Sequence, residues 1–423
     1  MLDTLPLVFV LAGVVLYTVL AGADFGAGLW RLLSGGGERG AAIRDHAHHS
    51  MGPVWEANHV WLIFVLTVTW TGYPTFFGSV ASTLAVPFFI AALGIVLRGA
   101  SYALRSGAAS SRELTLVDGA LAVASLVAPF ALGTAVGGIA SLRVPVGNAT
   151  GHLFSSWLNP TSILIGVLAV AFSAYLAAVY LAADAARRGE PELEEAFRRR
   201  ALGAGIAAGG MAVAGLIVLH SDAHSLYTGL LHGAALATLI VSLLAGTATL
   251  ALVATRRFEL GRYSAALAVA AVVAGWAFAR YPLLLRGLTV HQAAASHDTL
   301  VTLVVAVLAG GVVLFPSLGL LFALLLRGQL GEHGGEAPTS PATVAGASFA
   351  GPARPALQAR IAVALLILGV GLLNGADAPW AHAVGVVSLF SFMIVAFAAI
   401  VPRALAEDAA AAPGDANALA EDP

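Results

Sequence analysis

The chain has no cysteine. Disulfides, thiolate metal sites and cysteine nucleophiles are therefore excluded. It has no lysine either, so all 21 basic residues are arginine. Schiff-base chemistry and a phosphate-loop lysine are excluded with it. Charge of both signs is scarce. Only 10% of the 423 residues are Asp, Glu, Lys or Arg, against about 25% in an ordinary soluble domain. Hydrophobic residues make up 59%, and the mean hydropathy is +0.88. A soluble globule of this size cannot hide so much apolar surface. A cytosolic enzyme, a secreted disulfide scaffold, a disordered chain and a nucleic-acid binder are excluded. An all-α polytopic membrane protein remains. The net charge of −2 identifies no partner.

A bilayer core of about 30 Å needs roughly 20 apolar residues per helix. Eleven such runs are expected, over about 5–30, 54–71, 76–104, 117–137, 160–183, 201–220, 230–254, 263–284, 299–326, 358–374 and 382–402. None alternates as a barrel strand does. The first run lacks the basic start and the small-residue cleavage site of a signal peptide. With the N-terminus outside, the inner loops hold Arg31, Arg39, Arg44, Arg105, Arg112, Arg187, Arg188, Arg198, Arg199, Arg200, Arg256, Arg257, Arg262, Arg327, Arg354, Arg360 and Arg403. The outer loops hold only Arg143 and Arg286, while Arg98 and Arg280 lie within runs. This bias sets the orientation.

The expected organisation is a membrane domain over 1–330, a flexible inner linker over 331–357, a C-terminal two-helix hairpin over 358–402 and a disordered tail over 403–423. The linker is rich in Gly, Pro, Ala and Ser, and the tail is Ala-rich with scattered acids.

In so apolar a chain, ionisable residues inside spans are the informative ones, because each costs roughly 2.5–3.5 kcal/mol at mid-bilayer on insertion scales. Asp24 sits in Gly22-Ala23-Asp24-Phe25-Gly26-Ala27-Gly28, whose small residues admit a close neighbour. Solvation near the headgroups is its plainer reading. Glu56 follows Pro53 at the opening of the second run, where an acid also suits the helix dipole. Asn58 and His59 lie a turn deeper, and Glu56 and His59 share a face. Trp55 and Trp61 read as an aromatic belt. Arg98 is followed on the same face by Tyr102 and Arg105. It either snorkels to water or pairs with a carboxylate on another helix. The topology puts Asp24, Glu56, His59 and Arg98 in the inner third of three consecutive spans. Two carboxylates, an imidazole that exchanges protons near neutral pH and a guanidinium that offsets their charge suit a proton half-channel.

Other polar clusters have plain readings. His46, His48 and His49 read as a solvated inner loop rather than a metal site. His220, Asp222 and His224, with His232 nearby, read as a polar cap on an outer turn, with a metal or haem site as the alternative. Arg280 reads as a belt anchor, and His291, His297 and Asp298 stay ambiguous.

The first two motifs, Gly22 to Gly28 and Gly52-Pro53-Val54-Trp55-Glu56-Ala57-Asn58-His59-Val60-Trp61-Leu62, resemble subunit II of the cytochrome bd-type (cyanide-insensitive) quinol oxidases. Arg98-Gly99-Ala100-Ser101-Tyr102-Ala103-Leu104-Arg105, Trp157-Leu158-Asn159-Pro160-Thr161-Ser162 and Leu288-Thr289-Val290-His291-Gln292-Ala293-Ala294-Ala295-Ser296 continue the likeness over about 1–330. The resemblance implies two four-helix bundles plus a peripheral helix, to which this chain adds the C-terminal hairpin. It implies a heterodimer with subunit I, which carries haem b, haem d and the quinol site and reduces dioxygen to water. This chain then needs no cofactor of its own and supports proton supply from the cytoplasm. By motif, Asp24 and Glu56 match the family's buried acids, and Arg98 matches its arginine. An acid that some members carry shortly afterwards is Ala103 here. The implied setting is a bacterial or archaeal cell membrane with lipid, quinone and no nucleic acid, and the hairpin is a candidate stand-in for a small single-span accessory subunit. Two other readings stay open from the residues: a proton-coupled secondary transporter, and a haem-binding electron carrier.

Overall fold

The computed structural model describes residues 2–51, 55–105, 111–326, 353–375, 378, 380, 381, 383–392, 394 and 395. The elements run α1 (Leu5–Leu32), α2 (Gly37–Met51), α3 (Trp55–Gly72), α4 (Pro74–Thr83), α5 (Ala85–Arg105), α6 (Ser111–Ala140), α7 (Pro160–Arg188), α8 (Pro191–Asp222), α9 (His224–Leu230), α10 (Gly233–Ala254), α11 (Phe258–Arg280), β1 (Leu283–Leu285), β2 (Leu288–Thr289), α12 (Val290–Ala293), α13 (His297–Leu326) and α14 (Ala353–Gly375). They fall into two compact units, Met1–Phe322 and Ala323–Pro423.

Local chemistry explains several boundaries. Asn159 caps α7 by accepting from the Ser162 N–H at 3.0 Å, Pro160 opens it, and Gly189 in the left-handed region ends it. The run expected over 76–104 is two helices, α4 and α5, bent by 80° about Leu84. Pro87 accounts for the break. In a continuous helix its ring would strike the Thr83 carbonyl, which its proton-less nitrogen cannot bond. The run expected over 263–284 stops being helical at Arg280, because Tyr281 precedes Pro282 and is extended. The chain then makes the antiparallel β1–β2 hairpin, with Gly287 at φ +81 in its turn.

Among the described residues, seven helices are long and apolar enough to cross a membrane, or eight with α4 and α5 taken as one span. That is fewer than the eleven runs expected. α3 is left out because its start carries Glu56, Asn58 and His59. In the second unit the apolar helical stretches are short, Arg360–Gly369 and Ala383–Phe392. They meet where Gly369 lies against Leu389 and Gly385. α14 begins inside the stretch expected as linker, since Pro355 is tolerated in a first helical turn. The rest of that linker and the 403–423 tail lie outside the described residues.

The first unit holds two sets of four helices. In one, α1 lies between α3 and α6, and α6 packs on α5. In the other, α7, α8, α10 and α11 pack in a ring, and α7 joins the sets by packing on α1 and α6. α13 is peripheral, with Leu303 beside Gly72 and the Ala295 N–H donating to the Gly72 carbonyl at 2.9 Å. Lipid offers helices little hydrophobic reason to associate, so close backbone packing does the work. A Cβ on Gly26 would overlap the Ser173 carbonyl of α7 and come within 2.7 Å of the Ala177 Cβ. Gly133 faces Gly166, and Gly94 faces Ala128, in the same manner.

Gly26→Val is expected to lower stability by about 1–3 kcal/mol, the usual scale of overpacking, read as a lower thermal midpoint in detergent. Gly209→Ala, where a Cβ meets nothing within 4 Å, should leave the midpoint unchanged or raise it.

Candidate functional site

The scarcest residues meet. Asp24 on α1 and Arg98 on α5 are both 0% exposed. Arg98 grips the carboxylate in a fork: its Nε donates to Oδ2 at 3.1 Å and its Nη2 to Oδ1. Nη2 also donates to the Asp24 carbonyl at 2.8 Å, and Nη1 donates to the Ser125 hydroxyl on α6. The guanidinium carbon lies 5.3 Å from the centre of the Phe25 ring. Arg98 therefore does not snorkel, and Asp24 is not solvated. An ion pair at this depth needs such complete bonding, because desolvation of each charge costs several kcal/mol.

The sequence around the pair explains the fit. A Cβ on Gly28 would overlap the Ser125 hydroxyl and lie 2.9 Å from Arg98 Nη1. Pro129 sits inside α6 and lacks the N–H that would bond the Ser125 carbonyl one turn earlier. Ser125 itself donates to the Leu121 carbonyl at 2.6 Å, which leaves its oxygen free to accept from Arg98.

His59 on α3 lies against the same part of α1. Its ring meets Phe25 at 6.4 Å and Tyr17 at 6.1 Å, edge to face in both cases. Asn58 is buried and donates to the Leu20 carbonyl at 3.3 Å, tying α3 to α1. Trp61 is half-buried against Phe64. The side chains of Trp55, Glu56, Tyr102 and Arg105 lie outside the described residues. Asp24, Arg98, Asn58 and His59 are thus brought to one neighbourhood on α1.

Three contributors are not evident from the sequence. Ser125 is one hydroxyl in a helix full of small residues. The Tyr17 hydroxyl is buried with no hydrogen-bond partner among the described residues. Arg31, counted above as a loop marker, is a buried residue of α1, and its Nη2 donates to Asp118 Oδ1 on α6 at 2.6 Å. The signal that links them is spacing. Tyr17, Asp24 and Arg31 recur every seven residues, close to two helical turns.

The other polar clusters behave differently. The expected solvated loop of His46, His48 and His49 is helix α2. His46 is buried, with Nε2 3.1 Å from the Leu181 carbonyl, Nδ1 3.4 Å from Glu190 and its ring tilted on Phe197. Burying Ile43, His46 and Ala47 against α7 and Phe197 gives α2 its inner face. Asp222 accepts from Arg143 at 2.6 Å and from the Thr161 N–H and hydroxyl at 3.1 and 2.6 Å. His220 and His224 are exposed; His224 stacks on Tyr227 and His220 meets that ring edge to face. Arg280 donates to Ser225 at 3.2 Å and to the Ala140 carbonyl, so it ties helices together as well as marking an end. His291 contacts Asp3 at 2.5 Å, while His297 and Asp298 are exposed. Among the described residues, no three His, Asp or Glu side chains group so as to hold a metal ion.

Known proteins share this architecture. The family model for cytochrome bd terminal oxidase subunit II matches residues 2–325. The chain is 29% identical over 114 residues to cytochrome bd ubiquinol oxidase subunit 2 of Bacillus subtilis, covering 27% of this chain and 33% of that protein. It is 27% identical over 182 residues to cytochrome bd-I ubiquinol oxidase subunit 2 of Escherichia coli K12, covering 41% of this chain and 47% of that one. These matches span a third to just under half of the relatives' own lengths. In fold, the chain is similar to a chain of the bd oxidase from Geobacillus thermodenitrificans, with a TM-score of 0.60 and 24% identity over 77% of this chain and 99% of that one.

Breaking the ion pair from one side should be costly. Asp24→Leu and Arg98→Met are each expected to lose about 3–5 kcal/mol, and the double variant much less than their sum. Thermal midpoints of the four proteins in detergent read the coupling; additive losses would show that the two side chains act independently.

Proposed function

The chain belongs to the cytochrome bd terminal oxidase subunit II family, and from that premise we propose that it is the haem-free subunit of a quinol:oxygen oxidoreductase. Its partner is subunit I, with which it forms a heterodimer in a bacterial or archaeal cell membrane. The partner's haem b and haem d supply the electron transfer from quinol and the reduction of dioxygen. The histidines of this chain support that division of labour. His46 has Nε2 on a backbone carbonyl and Nδ1 facing Glu190 at 3.4 Å, His59 lies against two aromatic rings, and His220 and His224 lie at an exposed turn. The excess of arginine in the expected inner loops supports an N-terminus on the outside.

The proposed contribution of this chain is a proton path from the inner face through Asp24, Glu56 and His59, with Arg98 as the fixed cation. The observation that carries this reading is the wholly enclosed Asp24–Arg98 pair. A stability role alone is weak grounds for burying two charges, because well-packed apolar residues of similar volume do as well. Arg98 is held at three points besides the carboxylate: the Asp24 carbonyl, Ser125 and the Phe25 ring. The guanidinium therefore keeps its place while the carboxylate takes up a proton and releases it again, and the site returns to its starting charge. His59 stands on the side of α1 toward Tyr17, as the group that exchanges protons near neutral pH. Trp55, Asn58, Trp61, Tyr102 and Arg105 are the supporting motif residues.

The test uses the heterodimer. With partner and chain purified together, a reduced-minus-oxidised spectrum should show haem, and oxygen consumption should depend on added quinol. Combined Asp24→Asn and Glu56→Gln should cut turnover and proton uptake by roughly a hundredfold at unchanged haem content. Unaltered turnover would refute the proton path and leave the subunit assignment standing. A Soret band from this chain purified alone would refute the haem-free reading.

A further inference from the structure

Asp24 is not the last acid along its seam. α1 and α6 run antiparallel, and two rungs join them. In the deeper rung Arg98 bridges Asp24 and Ser125. In the second, seven residues along each helix, Arg31 bonds Asp118 at 2.6 Å. Seven residues are about 10.5 Å of helix. Side-chain exposure rises along the seam, from 0% for Arg98 and 1% for Asp24 to 5% for Arg31 and 30% for Asp118. Between the rungs on α1 lies Gly28, where a side chain would overlap Ser125 and crowd Arg98. We propose that Asp118 is the proton-collecting carboxylate at the mouth of this seam, with Arg31 as its positioning cation.

This inference rests on the proton-path reading of Asp24 and extends it by one residue. A proton from bulk water binds the Asp118 carboxylate and loosens its bond to Arg31. It then leaves through water toward Asp24, and the Asp118–Arg31 pair re-forms. One proton moves inward and no electron is transferred: Asp118 regains its charge when the proton leaves it, and Asp24 regains its own when it passes the proton onward. Arg31 fixes the position of the carboxylate at the more exposed end of the seam.

The experiment compares Asp118→Asn, Asp118→Glu and Asp24→Asn in the intact heterodimer. Oxygen consumption is followed against pH, and proton uptake by an indicator dye after an oxygen pulse. Haem spectra report assembly. Asp118→Asn should slow both rates about threefold to tenfold, less than loss of a group that cannot be bypassed, because water still reaches the next carboxylate. The deficit should widen as pH rises and free protons become scarce, and Asp118→Glu should restore most of the rate. A merely structural ion pair would lower the thermal midpoint without that pH dependence, and this outcome overturns the proposal. So does native uptake in Asp118→Asn beside impaired uptake in Asp24→Asn. Native uptake in both variants refutes the proton-path reading on which the proposal stands. If Asp118→Asn fails to assemble, the pH profile of Asp118→Glu decides: a displaced alkaline limb supports the proposal, and an unchanged one overturns it.

Discussion

The first unit is organised around one buried ion pair. Asp24 and Arg98 sit where almost everything else is apolar, so each must find all its partners within the protein. That requirement fixes three helices at once. α5 must present Arg98 to α1, α6 must supply the Ser125 hydroxyl, and α1 must approach closely enough that only glycine fits at position 28. The glycine that lets α7 press on α1 at Ser173 lies two residues beyond Asp24. Packing in a lipid-like interior depends on such backbone contacts, so the charge pair and the small residues act together.

The family match ends at residue 325, and the second unit begins at Ala323. The family match thus covers the first unit, and the apolar helical stretches Arg360–Gly369 and Ala383–Phe392 lie beyond it. Two sets of polar ties within the first unit differ in kind. One is the seam of α1, α5 and α6. The other is the opposite end, where Asp222 joins Arg143 to Thr161 and Tyr73 donates to the Asp3 carbonyl at 2.6 Å. The second set needs only to hold loops. The first encloses the Asp24–Arg98 pair completely, and that difference marks it as the place where chemistry is proposed.

Much of this was legible in the sequence because charge is rare there. Asp24 and Arg98 stand out against runs of Leu, Val and Ala, and the motif likeness reaches the same two residues. The helical class followed from length and apolarity. What escaped did so for physical reasons. Ser125 and Tyr17 belong to residue types that spans tolerate freely, so only a tertiary contact gives them meaning. Arg31 obeyed the inside bias and was counted as a marker, although its bond to Asp118 buries it. His46 lies in a stretch whose composition is polar, and only the α7 and Phe197 contacts make one side of it an interior face. The bend at Leu84 was written in Pro87, but the apolar run masked the proline's effect on the preceding turn.

The two rungs between α1 and α6 have a consequence for sequence length. Asp24 pairs across to the level of Ser125, and Arg31 to Asp118, so the intervals along the two helices are equal and opposite. Adding or removing one residue between the rungs on either helix turns everything beyond it by about 100°. One rung would then face lipid or another helix while the other stayed in place. A substitution along this seam acts at its own rung, whereas an insertion or deletion displaces a whole rung. The seam thus behaves as a ruler, and it sets the spacing to which both helices must be cut.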